Sequence, residues 1–489
     1  MKINRDSINA VVNNVVEKSN TDEQQNFIDA IQNDSNNLIC LARAGTGKTS
    51  TIIQAVKPMS NYLFASFGKD AVGELITRGV NSKNARTLNS ICFSVIKDNI
   101  RYVNVDTSRC YKIVKSLAQR RFGAYIAKIM EIVNFIRASG EYEINERNEF
   151  NFYNVALNYV IEEGYYDNTK YVSAEEVAEI CNNALCILAE SGKELDLSDQ
   201  TWWPYLYRNQ WKFNNLAETV IIDEFQDMSW CQLSTAMKIG TRLALIGDDR
   251  QAIYEWRGAS SDNVNRCVKQ LNAKIFKLTT SFRCAKKIIA LAQKYVPDIK
   301  AFNNAPDGII DSILAFETPK HVMPGDFIIV RNNVDGIAQY LHLINNNIAC
   351  QVQGTGLTKQ LKAIIKDFYD SNSSNFINWL NGWANEKTVI AENNGIFDSK
   401  FNDLANCLSI LYEACNKDLN QVENKLDFMT SDTKAENIVT IGTAHRLKGR
   451  EANRVFMHYN FTEADISEQN VKYVALTRAK KHLTMLIDG

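Results

Sequence analysis

Short apolar runs punctuate this chain, and each gives way to polar or glycine-rich residues. They read NLICLA (37–42), YLFASF (62–67), TVIID (219–223), RLALIG (242–247), FIIVR (327–331), VFMHY (455–459) and HLTMLI (482–487). Runs of this length, rich in β-branched residues and without polar alternation, suit strands covered on both faces. Amphipathic helical stretches lie between them, and that alternation predicts an α/β fold with parallel sheets.

Two regions break the pattern. Residues 98–215 read as mostly helical, with Tyr125, Ile129, Ile132, Val133 and Ile136 on one face at helical spacing. Residues 371–435 open on SNSSN and continue as Trp-, Leu- and Asn-bearing helical segments. Both are expected to be helical insertions. The first α/β domain would then comprise 1–97 and 216–274, and the second 275–370 and 436–489.

Composition narrows the partners. The chain has 489 residues, too many for one core and enough for several domains. Its 55 basic and 56 acidic residues leave a net charge of −1, so a nucleic acid would need a local groove rather than a global field. The 11 cysteines are scattered, with Cys181 and Cys186 the nearest pair, and no C-x-x-C occurs. With five histidines and no clustering, a structural metal site is not expected. No apolar run approaches a membrane span and the N-terminus lacks a secretory apolar block, so reduced thiols in a cytoplasmic protein are expected.

The segment NLICLARAGTGKTS (37–50) is an apolar strand, a small-residue loop and the start of a helix. It fits G-x-x-x-x-G-K-[ST] with Ala42 in the first position. Small residues let backbone N–H groups curl around phosphate oxygens, and the helix N-terminus adds partial positive charge. Ala42, Arg43, Ala44, Gly45, Thr46, Gly47, Lys48, Thr49 and Ser50 therefore form the candidate phosphate loop. Lys48 would reach the β- and γ-phosphates of ATP, and Thr49 would ligate Mg²⁺. VIIDEFQD (220–227) delivers Asp223 and Glu224 to the end of a second strand. Asp223 would hold Mg²⁺ through water, and Glu224 would polarise the attacking water.

Further along the chain, the segments TDEQQNFIDAI, ARAGTGKT, FASFGKDAVGEL, ARTLNSICF, VIIDEFQD, IGDDRQAIYEWRGA, LTTSFRC, VTIGTAHRLKGREANRVF and VKYVALTRAKKHL follow in order. Together they resemble the motif series of UvrD/Rep-type superfamily 1 DNA helicases, across residues 21–486. SDQTWWPYLYRNQW resembles, more loosely, the compact phage-type and F-box-helicase branch. The resemblance implies two RecA-like domains with ATP between them. It makes Gln24 the reader of adenine, Phe282 an aromatic against the base, and Glu451 a residue near the ribose. It makes Gln251 a γ-phosphate sensor, and Arg283 and Arg478 arginines that reach the γ-phosphate from the second domain. A delocalised guanidinium suits the charge of a phosphoryl-transfer transition state.

The resemblance also places Phe67, Thr87, Asn89, Tyr254, Trp256, Arg257, Thr443 and His445 on a single-stranded DNA path. Aromatic faces accept any base, which suits a protein that grips without sequence preference. It implies a DNA helicase with DNA-stimulated ATPase activity that moves 3′ to 5′ and opens tailed duplexes, acting at the nucleoid with replication, repair or recombination proteins. Some positions depart from the family pattern. Arg43 replaces a Gly and reads as either a surface residue or an extra nucleotide contact. Asn89 replaces a His, Gly68-Lys69 a Thr-Asn, and Thr21-Asp22 an Asn-Pro. Two other activities stay open: a translocase that strips proteins from DNA with little unwinding, and a nucleotide-gated DNA-binding subunit of a larger complex.

Overall fold

A computed structural model describes residues 20–66, 68–118, 120–162, 172–253, 261–392, 400–431 and 437–487. Two parallel sheets organise them. The first takes β1 (Leu38–Ala42), β2 (Tyr62–Ser66), β3 (Ala85–Thr87), β4 (Ala217–Asp223), β5 (Gly240–Gly247) and β6 (Lys274–Leu278), in the spatial order β6-β1-β5-β4-β2-β3. The second takes β7 (Ile309–Leu314), β8 (Phe327–Val330), β9 (Cys350–Gln353), β10 (Thr430–Ser431), β11 (Val439–Thr443), β12 (Ala452–His458) and β13 (Ala479–Ile487), in the order β7-β13-β12-β8-β11-β9-β10. Every apolar run expected as a strand forms one, and the α/β class with parallel sheets holds.

The strand order decides what meets at the first sheet's C-terminal edge. β5 lies between β1 and β4, with Ile39 opposite Leu245 and Ile246 opposite Asp223. The loop leaving β5 therefore sits between the loop leaving β1 and the acids that end β4. Ligands of open α/β sheets bind at such carboxyl ends.

Helices cover the faces. Among them are α1 (Asp22–Asn33), α2 (Lys48–Val56), α3 (Lys69–Thr77), α4 (Ile126–Ser139) and α5 (Ile466–Leu476). α1 starts with a capping box in which Thr21 accepts from the Gln24 N–H and the Gln24 side chain accepts from the Thr21 N–H. Ile129, Ile132, Val133 and Ile136 are buried on one face of α4, as their spacing predicts, and Tyr125 is buried at its N-cap. That face joins Trp202, Trp203 and sheet residues Ile39, Leu63 and Ile222 in one core, so the helices between β3 and β4 pack directly on the first sheet. Within that layer Arg137 is 1% exposed, and it donates to Asp196 and Asp199 at 2.9 Å. Arg109 also donates to Asp199, at 2.7 Å.

The helices Thr355–Asp370, Phe376–Glu392, Lys400–Ala414 and Leu419–Met429 share a second core with Ile328, Val330 and Ile441 of the second sheet. A third cluster joins Ala44 and Ile253 of the first lobe to Leu447, Tyr473 and Ala479 of the second. The two lobes thus share buried apolar surface next to the phosphate loop. All 11 cysteines are free. No helix among the described residues is long and apolar enough to cross a membrane.

Candidate nucleotide cleft

The loop between β1 and α2 needs glycine twice. Gly45 has φ +74°, and a Cβ there would lie 2.5 Å from Cβ of Arg283 and 2.7 Å from Oγ of Ser281. Gly47 caps α2 at φ +79°, the left-handed region that glycine adopts at least cost. These turns bring the α2 N-terminus, with its unpaired N–H groups, to the floor of a cavity of about 970 Å³.

That cavity is lined by Gly45, Thr46, Gly47, Lys48, Thr49 and Ser50 from the first lobe. Asp223 and Glu224 join them, with Phe282, Arg283 and Glu451 on the opposite wall. Ala42, Arg43 and Ala44 do not line it. Ala42 belongs to β1, and the Ala44 N–H donates to the Tyr473 hydroxyl at 3.0 Å.

The acids and the loop meet closely. Nζ of Lys48 lies 2.7 Å from Oε2 of Glu224, and Oγ1 of Thr49 donates to Oδ2 of Asp223 at 3.0 Å. Glu224 itself takes φ +54°, an uncommon conformation for a non-glycine residue, which turns two consecutive carboxylates into one cleft. Burial and the neighbouring Glu224 charge push Asp223 above the usual carboxylate range. Burial would raise Glu224 too, but Lys48 and Lys448 outweigh it and hold that carboxyl below its ordinary range. Burial opposes the charge on Lys48, yet Glu224, Asp223 and Asp248 together raise its proton affinity.

The second lobe brings cations. Nε of Arg283 pairs with Oε2 of Glu451 at 2.5 Å, and Nζ of Lys480 takes the other oxygen at 2.6 Å. The Phe282 N–H donates to the Gly45 carbonyl at 2.8 Å, so this wall is tied to the phosphate loop. Arg478 is wholly buried behind the cavity, where burial and then Arg283 push its pKa down to about 10. It donates to Oε1 of Gln251 at 3.4 Å. Gln24 lies beside the loop rather than in the cavity wall, with its amide donating to the Thr46 carbonyl at 3.0 Å.

Arg43 was open to being a surface residue or a nucleotide contact. Its side chain is buried rather than at the surface, and it does not line the cavity. Its guanidinium, 9% exposed, is held by Asp248, Asp249 and Asp298. A buried cation requires such partners, and here they lie away from the cavity.

Other contributors were not named from the motifs. Lys448 crosses between the lobes, donating to Asp227 at 2.6 and 2.8 Å and to the Gln251 carbonyl at 2.7 Å. Arg78 lines the cavity just beyond the C-terminal end of α3 and donates to Oγ of Ser50 at 2.6 Å. Asp227 and Lys448 stand inside DEFQD and AHRLKGRE, so an unassigned charge within a motif was the available signal. For Arg78 nothing in the local pattern marks the role.

A family model described as UvrD/REP helicase N-terminal domain matches residues 21–272, more than half of the chain. The chain belongs to the UvrD/Rep helicase family. A probable DNA helicase II homolog of Rickettsia conorii is 24% identical over 292 residues, covering 54% of this chain and 43% of that protein. The ATP-dependent DNA helicase PcrA of Bacillus subtilis is 22% identical over 295 residues, covering 55% of this chain and 38% of its own length. The ATP-dependent DNA helicase Rep of Buchnera aphidicola is 30% identical over 95 residues, 19% of this chain and 14% of Rep. The chain thus matches less than half the length of each.

In this UvrD/Rep family member, the residues expected along a DNA path divide into three groups. Thr87 and Asn89 flank the start of the helix Leu88–Asn99, at the C-terminal end of β3. Thr87 accepts from the Ser90 N–H at 3.2 Å, and Oδ1 of Asn89 accepts from Gln232 at 2.8 Å. Thr443 and His445 stand at the C-terminal end of β11, where His445 hydrogen bonds to the Ile253 backbone, one residue before Tyr254. Phe67, Tyr254, Trp256 and Arg257 lie outside the described residues.

Proposed function

We propose that this chain is an ATP-driven motor that moves 3′ to 5′ on single-stranded DNA and separates tailed duplexes. The observation that carries the reading is one cleft that gathers Lys48, Thr49, Asp223 and Glu224 from the first lobe and Arg283 from the second. Hydrolysis can then change how the lobes meet. The names of the relatives, DNA helicase II, PcrA and Rep, support DNA as the track.

The pairs in the cleft suggest the order of events. A γ-phosphate competing for Lys48 would release Glu224 to polarise water. The same phosphate would draw Arg283 from Glu451 and bring the walls together. A hydroxyl and a carboxylate, Thr49 and Asp223, form a hard oxygen donor set that fits Mg²⁺ completed by water and phosphate. The ion would neutralise phosphate charge when bound. The Asp248–Gln251 loop touches Arg478 and leads into Tyr254–Arg257, so nucleotide and DNA would share a short coupling element.

The test is unwinding of matched 3′-tailed and 5′-tailed duplexes with ATP. Opening of the 3′-tailed duplex alone supports the reading. Equal opening of both, or of the 5′-tailed one alone, removes the polarity. ATP-driven movement that opens neither favours a protein-stripping translocase.

A further inference from the structure

Arg43 stands in the phosphate loop, yet its side chain does the cleft no direct service. It forms a fork with Asp298, Nε to Oδ1 at 2.6 Å and Nη2 to Oδ2 at 2.9 Å. Its third nitrogen donates to Oδ1 of Asp248 at 2.9 Å and to Oδ1 of Asp249 at 2.6 Å. Asp248 is fully buried. Its second oxygen accepts from Nε2 of Gln251 at 2.7 Å and from the Tyr473 hydroxyl at 3.3 Å. Oε1 of Gln251 is then the oxygen that meets Nη2 of Arg478.

A glutamine amide carries a donor and an acceptor that exchange places on a half-turn. A carboxylate against the NH₂ end removes that freedom, because the flipped amide would set two acceptors face to face. Asp248 at one end and Arg478 at the other therefore fix the orientation of Gln251, and the charge on Asp248 strengthens its hold. Burial works against that charge, and Asp249 adds to the opposition, while Arg43 and Lys48 hold it; Tyr473 is the remaining titratable group against it. Lysine at position 43 would be a poor substitute, since a point charge cannot fork to Asp298 while also reaching Asp248.

We propose that Arg43 is a positioning residue for Gln251, which the family resemblance makes the γ-phosphate sensor: through Asp248 it fixes the amide of Gln251 against Arg478, behind the wall of the cleft. Tyr473 braces the same carboxylate from α5 and accepts from the Ala44 N–H, so the phosphate loop and the second lobe hold one relay. The inference rests on the ATP-hydrolysis reading of the cleft.

The experiment is a double-mutant cycle on steady-state ATP hydrolysis with saturating single-stranded DNA. It uses Arg43→Ala, Gln251→Ala and the pair. Arg43→Ala lowers kcat by roughly tenfold, the size of a contact-level coupling, and moves KM for ATP by less than about twofold. In the Gln251→Ala background the same change adds nothing, because the residue it acts through is gone. Arg43→Lys gives an intermediate kcat and the same non-additivity, and it carries the cycle if Arg43→Ala does not fold. Losses that multiply, or a changed KM at constant kcat, overturn the proposal while the wild type still hydrolyses ATP. A wild type that turns over no ATP overturns the hydrolysis reading itself and the proposal with it.

Discussion

Lys448→Met would test how the lobes are held together. The substitution keeps most of the aliphatic stem and removes the charge. Three hydrogen bonds go with it: two to the Asp227 carboxylate and one to the Gln251 carbonyl. The pair is nearly dry, with side-chain exposures of 9% and 11%. Burial already pushes Asp227 up, with Glu224 nearby adding to it, and Lys448 is the main charge that opposes them, with Lys48 helping less. Breaking a buried pair from one side costs about 3–5 kcal/mol, and the residual water access points to the lower end. A loss of about 3 kcal/mol corresponds to roughly a 150-fold shift from closed toward open lobes. Small-angle X-ray scattering reads that shift as an increased radius of gyration. Asp227→Asn combined with Lys448→Met should open less than Lys448→Met alone, because no uncompensated carboxylate remains. Lys472→Met removes a cation paired with Glu463 inside the second lobe and should leave the scattering unchanged. Identical curves for the wild type and Lys448→Met would refute the reasoning.

Other consequences follow from the same contacts. Lys48→Ala should lower ATP turnover by at least about a hundredfold, with single-stranded DNA binding by fluorescence anisotropy largely kept; equal turnover would remove the phosphate-loop assignment. His445 should make the protein acid-sensitive. Burial, with help from Arg331, lowers its pKa from 6.5 to about 4, so the fold prefers it neutral. The stability is fully present above pH 6.5 and falls as the pH drops toward 4, by on the order of 3 kcal/mol. Thermal midpoints at neutral and mildly acid pH should therefore diverge more in the wild type than in His445→Asn, and equal losses would sink this. Arg137→Met should destabilise the helical layer of the first lobe by about 3–5 kcal/mol, because the buried Asp196 would lose its paired cation and Asp199 would keep only Arg109 as one. A thermal scan in which the variant melts with the wild type would contradict it.

What the sequence made legible follows from burial and locality. The central strands announce themselves as apolar runs because helices or neighbouring strands cover them from all sides. The strands KIFKL (274–278), IIDSIL (309–314) and CQVQ (350–353) escaped, and the reason is physical. β6 and β7 lie at sheet edges with largely exposed residues, and β9 has only four residues, two of them glutamines. The Lys48 and Thr49 roles could be argued because strand, loop and helix are contiguous. The partnership of Arg43 with Asp248 and Asp298 could not, since it joins positions more than 200 residues apart. Local pattern carries no information about such a contact; only the order β1-β5-β4 and the docking of the lobes create it. The glycine that the family pattern would place at 43 could make none of these bonds.

The most direct test of the account is ATP turnover by the intact chain, measured with and without single-stranded DNA. The account predicts basal hydrolysis that rises at least about tenfold when DNA engages the second site, a coupling of ordinary allosteric size. Turnover that is absent, or that DNA leaves unchanged, would contradict it.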